Sequence, residues 1–272
     1  MSTNTIESPS PQPQTAVESP LSSHEIVSRA EWIEARKALI KKEKAAAQVQ
    51  DELAEERRKL PWVKVEKNYV FDTPTGKKSL ADLFAGNSQL IVYHFMFGPG
   101  WKEGCPGCSF MVDHFDGPHI HLFHHDVTLI AVSRATLPEL EEYKTRMGWK
   151  FPWVSAHDTD FNQDYHVSAT EGDKARGKME YNFEETDLEI DELPGVSVFY
   201  KDDHGNVFHT YSDYARTTES LLGAYHFLDI TPKGSNENGP NFNLGDWVKR
   251  RDEYSAPTSG TPACCSNPPT DR

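Results

Sequence analysis

Two cysteines separated by two residues, Cys105 and Cys108, follow shortly after an apolar run over residues 90–97. The run is short and rich in aliphatic and aromatic residues, so it predicts a buried strand. Pro106 favours the first turn of a helix, where its missing N–H group would have no partner in any case. The sequence therefore predicts a strand, a short loop and a helix that starts at Cys105, with Cys108 one turn along on the same face.

This placement favours reactivity of the first thiol. The N–H groups of a first helical turn lack intrahelical partners and, together with the helix dipole, stabilise an anion. We therefore expect the pKa of Cys105 to be lowered, which would make this residue a nucleophile near neutral pH. Cys108 would be within reach to close a disulfide and resolve the mixed intermediate. The pair is accordingly predicted to be catalytic, and the chain to be an enzyme.

Charge and cysteine count exclude several classes of function. The chain of 272 residues carries 28 Lys and Arg against 42 Asp and Glu, a net charge of −14, and its basic residues are not segregated. Binding to nucleic acid or to an anionic membrane is therefore not expected. The four cysteines form two close pairs rather than a disulfide framework. Residues 1–21 lack the features of a signal peptide, and no apolar stretch reaches membrane-spanning length. We predict a cytoplasmic, reducing environment.

The predicted organisation is one domain with appendages. Residues 1–22 lack aromatic residues and residues 255–272 are rich in Pro, Ser and Thr, so both ends are expected to be disordered. A helical arm is predicted over residues 23–60, because Ser28 and Glu31 have the spacing of a capping box and Pro61 ends the helix. The narrow apolar stripe of this helix predicts packing on the domain or on a second subunit, as in a homodimer.

The central part, residues 61–254, alternates between strand and helix patterns. Apolar and β-branched runs predict a hairpin over residues 69–79 and later strands over residues 89–97, 127–132, 151–155, 195–200 and 206–211. Helices are predicted from Cys105 onward, over residues 137–147 and over residues 221–227. An acidic loop with one short strand is expected over residues 170–192. This order predicts an α/β domain with a mixed sheet flanked by helices.

Several separated motifs resemble known families. The pattern Tyr69-x-Phe71…Gly76-Lys77-x-Ser79-Leu80-x-Asp82-Leu83, followed by a strand and Cys-x-x-Cys, resembles the redoxin branch of thioredoxin-like proteins. That branch includes peroxiredoxins, periplasmic thiol–disulfide proteins and the copper-delivering Sco proteins. The blocks Val132-Ser-Arg-Ala135, Met147-Gly-Trp-Lys-Phe-Pro-Trp-Val-Ser155, Asp160-Phe-Asn162 and Val207-Phe-His-Thr-Tyr-Ser212 resemble a family of unknown function described as predicted dithiol–disulfide oxidoreductases. The resemblance runs from Ser23 to Tyr254 and implies a thioredoxin-like fold and disulfide chemistry.

The same resemblance supplies candidates around the cysteines. The segment Leu193-Pro194-Gly195 resembles the one in which a cis-proline of thioredoxin-like proteins faces the cysteines. Arg134 follows the second strand of the βαβ unit, where it either holds an anion or thiolate or pairs with an acidic residue. Trp101 belongs to an aromatic-rich region that either packs the core or lines a hydrophobic substrate groove.

An alternative interpretation is a metal site. Sco-like proteins bind copper through two cysteines and a distant histidine. Cys105 and Cys108 with His209, alone or together with His166, therefore form a candidate copper site in an oxidase, an oxygenase or a copper-handling module. Thiolates with imidazole suit Cu(I) or Zn. Sco-like sites have three residues between the cysteines, whereas this chain has two.

The leading hypothesis needs no cofactor but does need redox partners. We expect a disulfide-containing or small-molecule redox substrate and an electron donor such as a thioredoxin or glutathione system. Cys264 and Cys265 lie in the C-terminal tail, where they are either idle or able to exchange electrons with the cysteine pair.

Overall fold

The computed structural model describes residues 24–235 and 248–254. The two ends that were predicted to be disordered, residues 1–22 and 255–272, lie outside the described residues, and Cys264 and Cys265 lie there as well. Within the described ranges, no helix is both long enough and apolar enough to cross a membrane.

The first described element is the predicted helical arm, α1 (Arg29–Lys59). Its capping box is confirmed: the Glu31 N–H donates to Ser28 Oγ at 3.3 Å, and the Glu31 carboxylate accepts from the Ser28 N–H at 2.9 Å. The helix buries no side chain, and Trp32 and Leu39 remain about half exposed. Of the two packings considered for this stripe, the described residues show no burial on the domain, and a homodimer through α1 stays a prediction.

The described residues of the central part form ten strands. They are β1 (Val63–Lys64), β2 (Val70–Thr73), β3 (Gly76–Ser79), β4 (Gln89–His94), β5 (Val127–Ser133), β6 (Trp153–Ser155), β7 (Lys178–Tyr181), β8 (Glu184–Asp187), β9 (Gly195–Lys201) and β10 (Val207–Tyr214).

Eight of these strands form one mixed sheet in the order β1-β10-β9-β4-β5-β6-β2-β3. β4, β5 and β6 run parallel, whereas β9 is antiparallel to β4 and β10 is antiparallel to β9. Parallel strands need crossover helices, which cover the faces of the sheet. The predicted α/β class with a mixed sheet flanked by helices is confirmed, with β4 in the middle of the sheet.

The other helices of the described residues are short. They are α2 (Pro106–Val112), α3 (Pro118–Phe123), α4 (Leu137–Met147), α5 (Phe161–Asp164), α6 (Glu171–Arg176) and α7 (Gly223–Asp229), and two 3₁₀ helices span Asp82–Phe84 and Ala215–Leu221.

Two local predictions need correction. The central strand ends at His94 rather than at residue 97, because the chain beyond it turns toward the cysteines, although the Phe95 N–H still donates to the Val132 carbonyl at 2.9 Å. The acidic stretch over residues 170–192 is more regular than expected, since it forms α6 and a hairpin of β7 and β8. The side-chain bonds of Thr170 and Asp173 cap α6 in both directions, which explains its start.

Because side chains alternate along a strand, β4 contributes to two cores. On one face, which we call the thiol face, Tyr93 packs in a cluster with Cys108, Met111 and Trp153. On the other, the histidine face, Val92 packs with Phe161 and Phe199, and the His94 ring stacks 5.5 Å from the Phe161 ring. The two faces have different chemistry, although they share one strand.

Candidate active site on the thiol face

The two cysteines lie at the start of α2, as the sequence predicts. Cys105 is the residue that precedes the helix, and Pro106 is its first helical residue. Cys105 is partly exposed, whereas Cys108 is 2% exposed and forms part of the thiol-face core. Both thiols are free. The pair therefore consists of one partly exposed cysteine and one buried cysteine.

Backbone contacts fix the position of Cys105. Its N–H donates to the Met96 carbonyl at 3.1 Å, which ties the cysteine loop to the end of β4. Its carbonyl accepts from the N–H and the hydroxyl of Ser109, at 2.9 and 2.8 Å. At Gly104 an added Cβ would lie 2.5 Å from the Phe95 ring, so only glycine permits this close approach of the loop to the core.

The surroundings of Cys105 favour its thiolate. The Cys108 thiol, as a hydrogen-bond donor, is the largest cause that lowers the pKa of Cys105, to about 6. The N–H groups of Cys108 and Gly107 and the positive charge of Arg250 lower this pKa further, while burial opposes them. A thiolate fraction that is already high near neutral pH makes Cys105 a nucleophile.

Cys108 has the opposite character. Burial raises the pKa of its thiol well above the ordinary value, and the neighbouring Cys105 sulfur adds to this effect. The Met96 N–H donates to Cys108 Sγ at 3.4 Å, and the Tyr93 hydroxyl faces the same sulfur. Cys108 is therefore held as a thiol, which suits a group that attacks only after Cys105 has been modified.

A cavity of about 450 Å³ opens beside the cysteines. Its walls are mainly apolar and come from β4, α2, the 3₁₀ helix Ala215–Leu221 and the C-terminal segment 248–254. The lining includes Tyr93, Met96, Cys105, Cys108, Met111, Pro194, Leu222 and Val248. Cys105 thus forms part of the wall of a pocket that can receive a small molecule.

Pro194 lies in this lining, but with a different peptide geometry from the one that the resemblance implied. The structure has no cis peptide bond among the residues it describes, so the bond before Pro194 is trans. Its carbonyl accepts from the Tyr181 hydroxyl at 2.7 Å, and the same hydroxyl accepts from the Ala215 N–H at 3.0 Å. Tyr181 of the β7–β8 hairpin therefore connects two walls of the pocket through the hydrogen bonds of its hydroxyl.

Neither Arg134 nor Trp101 is among the residues that line the cysteine pocket. Arg134 Nη1 contacts Glu192 Oε1 at 3.0 Å, and Ser168 Oγ donates to the other carboxylate oxygen at 2.6 Å. Of the two roles considered for Arg134, the structure shows pairing with an acidic residue, which anchors the segment before Pro194. Trp101 packs on the thiol-face core and borders a separate cavity of about 410 Å³.

The two candidate metal-binding histidines are not brought to the cysteines. His209 lies on the histidine face, where its Nε2 is 2.8 Å from Ser212 Oγ and its ring is 5.1 Å from the Tyr165 ring. His166 is exposed beside Glu180 in another surface pocket. Among the described residues, no cluster of three or more His, Cys, Asp and Glu side chains is arranged to hold a metal ion.

Sequence reasoning missed three residues of the site. Tyr93 was detectable, because the period of β4 places it on the same face as Phe95. Tyr181 lies in a hairpin far along the chain, and no local signal points to the cysteines. Arg250 likewise returns from the C-terminal segment: its guanidinium donates to the Gly104 carbonyl at 2.8 and 3.1 Å and to the Tyr143 hydroxyl at 3.0 Å.

The sequence from residue 21 to residue 254 matches the model of one protein family, described as "Bacterial protein of unknown function (DUF899)". The chain belongs to this family. The matched range contains both cysteines, Pro194 and the Arg250 segment, so the whole candidate site lies within the family's domain. Among curated proteins, no match is found.

Solved structures of peroxiredoxins show remote likeness to this family member. A cysteine-to-serine mutant of PrxQ from Xylella fastidiosa has 16% identity and a TM-score of 0.38, over 58% of this chain and 88% of that one. The Xanthomonas campestris bacterioferritin comigratory protein has 14% identity and a TM-score of 0.37, over 57% and 88%. Peroxidoxin BcpB from Mycobacterium tuberculosis has 12% identity and a TM-score of 0.36, over 61% and 97%. Likeness at this level indicates neither an activity nor a substrate.

Proposed function

We propose that this protein is a thiol–disulfide oxidoreductase in which Cys105 is the nucleophile and Cys108 is the resolving thiol. The observation that carries the proposal is the asymmetry of the pair. Cys105 is accessible from the pocket and its pKa is lowered to about 6, whereas Cys108 is buried and its pKa is raised. Attack and resolution need these two states in this order.

The reaction begins with the Cys105 thiolate. It attacks one sulfur of a substrate disulfide, so that a mixed disulfide forms and one substrate thiolate leaves. Cys108 then loses its proton and attacks Cys105 Sγ, which releases the second substrate thiolate. The substrate gains two electrons and two protons in all, and the enzyme is left with a Cys105–Cys108 disulfide. Neither step requires a cofactor.

An electron donor must then restore the dithiol. A thioredoxin or glutathione system of a reducing compartment such as the cytoplasm supplies thiols of the necessary class. The donor thiolate would attack Cys105 Sγ, the more accessible sulfur, so that Cys108 leaves and takes up a proton. A second donor thiolate then attacks the donor sulfur of this mixed disulfide, which releases Cys105 and leaves the donor as a disulfide.

The test is to interrupt the sequence of steps at the resolving residue. Cys108→Ser should accumulate a mixed disulfide on Cys105 that mass spectrometry of the intact protein detects. Cys105→Ser is the matched control and should accumulate none. Equal trapping by both variants, or by neither, would contradict the proposed roles.

Copper chemistry is the alternative that the same protein preparation can address. The described geometry offers the cysteines no histidine partner, so we expect protein purified without a polyhistidine tag to contain no stoichiometric copper. Stoichiometric copper that disappears in Cys108→Ser would contradict the dithiol proposal and favour a copper-handling function.

A further inference from the structure

The size and lining of the pocket beside Cys105 restrict what can reach the sulfur. A volume of about 450 Å³ is typical of sites for small molecules rather than of surfaces for proteins. Met96, Met111, Leu222 and Val248 give the pocket its apolar walls. Burying apolar surface of a ligand against such walls stabilises the complex in proportion to the area removed from water.

The charged groups around the pocket are balanced by one another. Arg216 Nε lies 3.4 Å from Glu219 Oε2 on the 3₁₀ helix that forms one wall. Arg250, near Cys105, is only 14% exposed and contacts carboxylates of Glu103 and Glu253 at 3.1 and 2.9 Å. A ligand with a net charge would gain little from these paired groups and would lose hydration on entry.

The backbone next to the pocket is already bonded. Thiol enzymes that act on a polypeptide can bind it as an added strand, which needs free N–H and C=O groups. Here the Leu193 N–H donates to the Val167 carbonyl at 2.8 Å, and the Pro194 carbonyl accepts from the Tyr181 hydroxyl at 2.7 Å. In the segment that lines the pocket, the Leu193 N–H and the Pro194 carbonyl are therefore already engaged within the protein.

From these three observations we infer that the substrate is a neutral, low-molecular-weight disulfide with an apolar body, and not a disulfide within a folded protein. This inference rests on the proposed function. The apolar body occupies the pocket between the 3₁₀ helix and Val248, and the disulfide lies against Cys105. Two substrate thiols leave, and the enzyme retains the Cys105–Cys108 disulfide until a dithiol donor reduces it.

A matched pair of oxidants tests the inference on the full-length, reduced protein. Dipropyl disulfide is neutral and apolar, whereas dithiodipropionate has similar arms that end in carboxylates; insulin provides disulfides within a protein. For each oxidant, the rate of Cys105–Cys108 disulfide formation is divided by the rate at which the same oxidant reacts with free N-acetylcysteine. This ratio corrects for differences in the oxidants' own reactivity toward thiols. We expect dipropyl disulfide to be favoured by about tenfold or more, as differential pocket binding allows.

Two variants link this preference to the pocket. Val248→Trp fills space in the pocket, and Met96→Gln replaces an apolar wall by a neutral polar one of similar length. Both should lower the rate with dipropyl disulfide while iodoacetamide, a small polar reagent, still alkylates Cys105. Val63→Trp adds the same ring at a position on β1 that is 65% exposed and should change neither rate.

The possible failures are distinct. If none of the oxidants yields a Cys105–Cys108 disulfide, the proposed function is wrong. If the disulfide forms but insulin or dithiodipropionate reacts as fast as dipropyl disulfide after normalisation, the function stands and the substrate inference is overturned. Equal rates for Met96→Gln and the unmodified protein with dipropyl disulfide would overturn it too.

Discussion

Tyr93 and His94 are consecutive residues of β4, yet they belong to different chemical environments. On the thiol face, Tyr93 lies against Cys108 beneath a pocket that leads to Cys105. On the histidine face, the fully buried His94 takes part in a chain of hydrogen bonds. His94 Nε2 lies 2.9 Å from Ser197 Oγ, which is 3.0 Å from Ser212 Oγ, and Ser212 lies 2.8 Å from His209 Nε2.

The difference shows that the sheet separates the cysteine pair from the hydrogen-bonded histidines. The Cys105 sulfur is activated by the Cys108 thiol, by backbone N–H groups and by Arg250, with no imidazole among the causes. The histidines are satisfied by hydroxyl, amide and carbonyl partners, and burial lowers the pKa of His94 to about 4, so it is neutral near pH 7. The histidine face is therefore a polar core, and His209 belongs to it.

The largest effect is expected from the centre of the histidine face. Phe161 is fully buried and its ring lies about 5 Å from the rings of Tyr69 and Phe71. Phe161→Ala should lower the free energy of unfolding by about 3–5 kcal/mol, measured by denaturant titration. The alkylation rate of Cys105 in the folded protein should stay the same. A large change in that rate would break the separation of the two faces.

A somewhat smaller effect should come from the protonation of His94. The unfolded state binds this proton near pH 6.5, but the folded state binds it only near pH 4. The stability that the neutral ring contributes is thus present above pH 6.5 and is lost as the pH falls toward 4, by up to roughly 3 kcal/mol.

The variant His94→Gln removes this titration and keeps hydrogen-bonding capacity. Its unfolding free energy should therefore depend less on pH than that of the unmodified protein over the same interval. Identical pH dependence of both proteins would show that the neighbouring His209 or the acidic groups dominate the acid response instead.

On the thiol face, the pH should control the rate of alkylation of Cys105. With a pKa of about 6, its reaction with iodoacetamide should reach a plateau above neutral pH. The rate should be about tenfold lower one pH unit below that pKa, since only the thiolate reacts. His209→Gln should leave the profile unchanged, whereas a shifted profile would connect the two faces chemically.

The smallest effect concerns the C-terminal segment. Arg250→Met removes a positive charge near Cys105 and should move the midpoint of the alkylation profile upward by less than about one pH unit. Arg251→Met is the control, because this neighbouring guanidinium contacts the Met147 carbonyl at 3.1 Å and Asp113 at 3.5 Å. If the alkylation profiles of the two variants had equal midpoints, Arg250 would not be a cause of the lowered pKa of Cys105.

The strongest local signals predicted their elements well. The capping box of Ser28 and Glu31, the helix Leu137–Met147 and the start of α2 at Pro106 agree with the structure. Each depends on neighbours in the sequence, such as a cap, an apolar period or a proline. The regular structure within residues 170–192 was underestimated, because a short acidic hairpin has little apolar alternation to reveal it.

Predictions that joined distant residues were less successful. His209 was grouped with the cysteines from its residue type and its place in a family pattern, but the register of β10 against β9 pairs it with Phe199 and directs it to the other face. A shift of one residue in a strand reverses the face on which a side chain lies. Such a register cannot be inferred from spacing along the chain.

The sequence by itself determined the α/β class and the position of the cysteine pair after the central strand, since both depend on local patterns. The tertiary structure alone decided that Cys108 is buried, that Arg250 and Tyr181 reach the loops around the pair, and that the histidines lie behind the sheet. These features depend on the contacts of segments separated by up to 146 residues, as between Gly104 and Arg250. Only packing of the complete sheet brings such segments together.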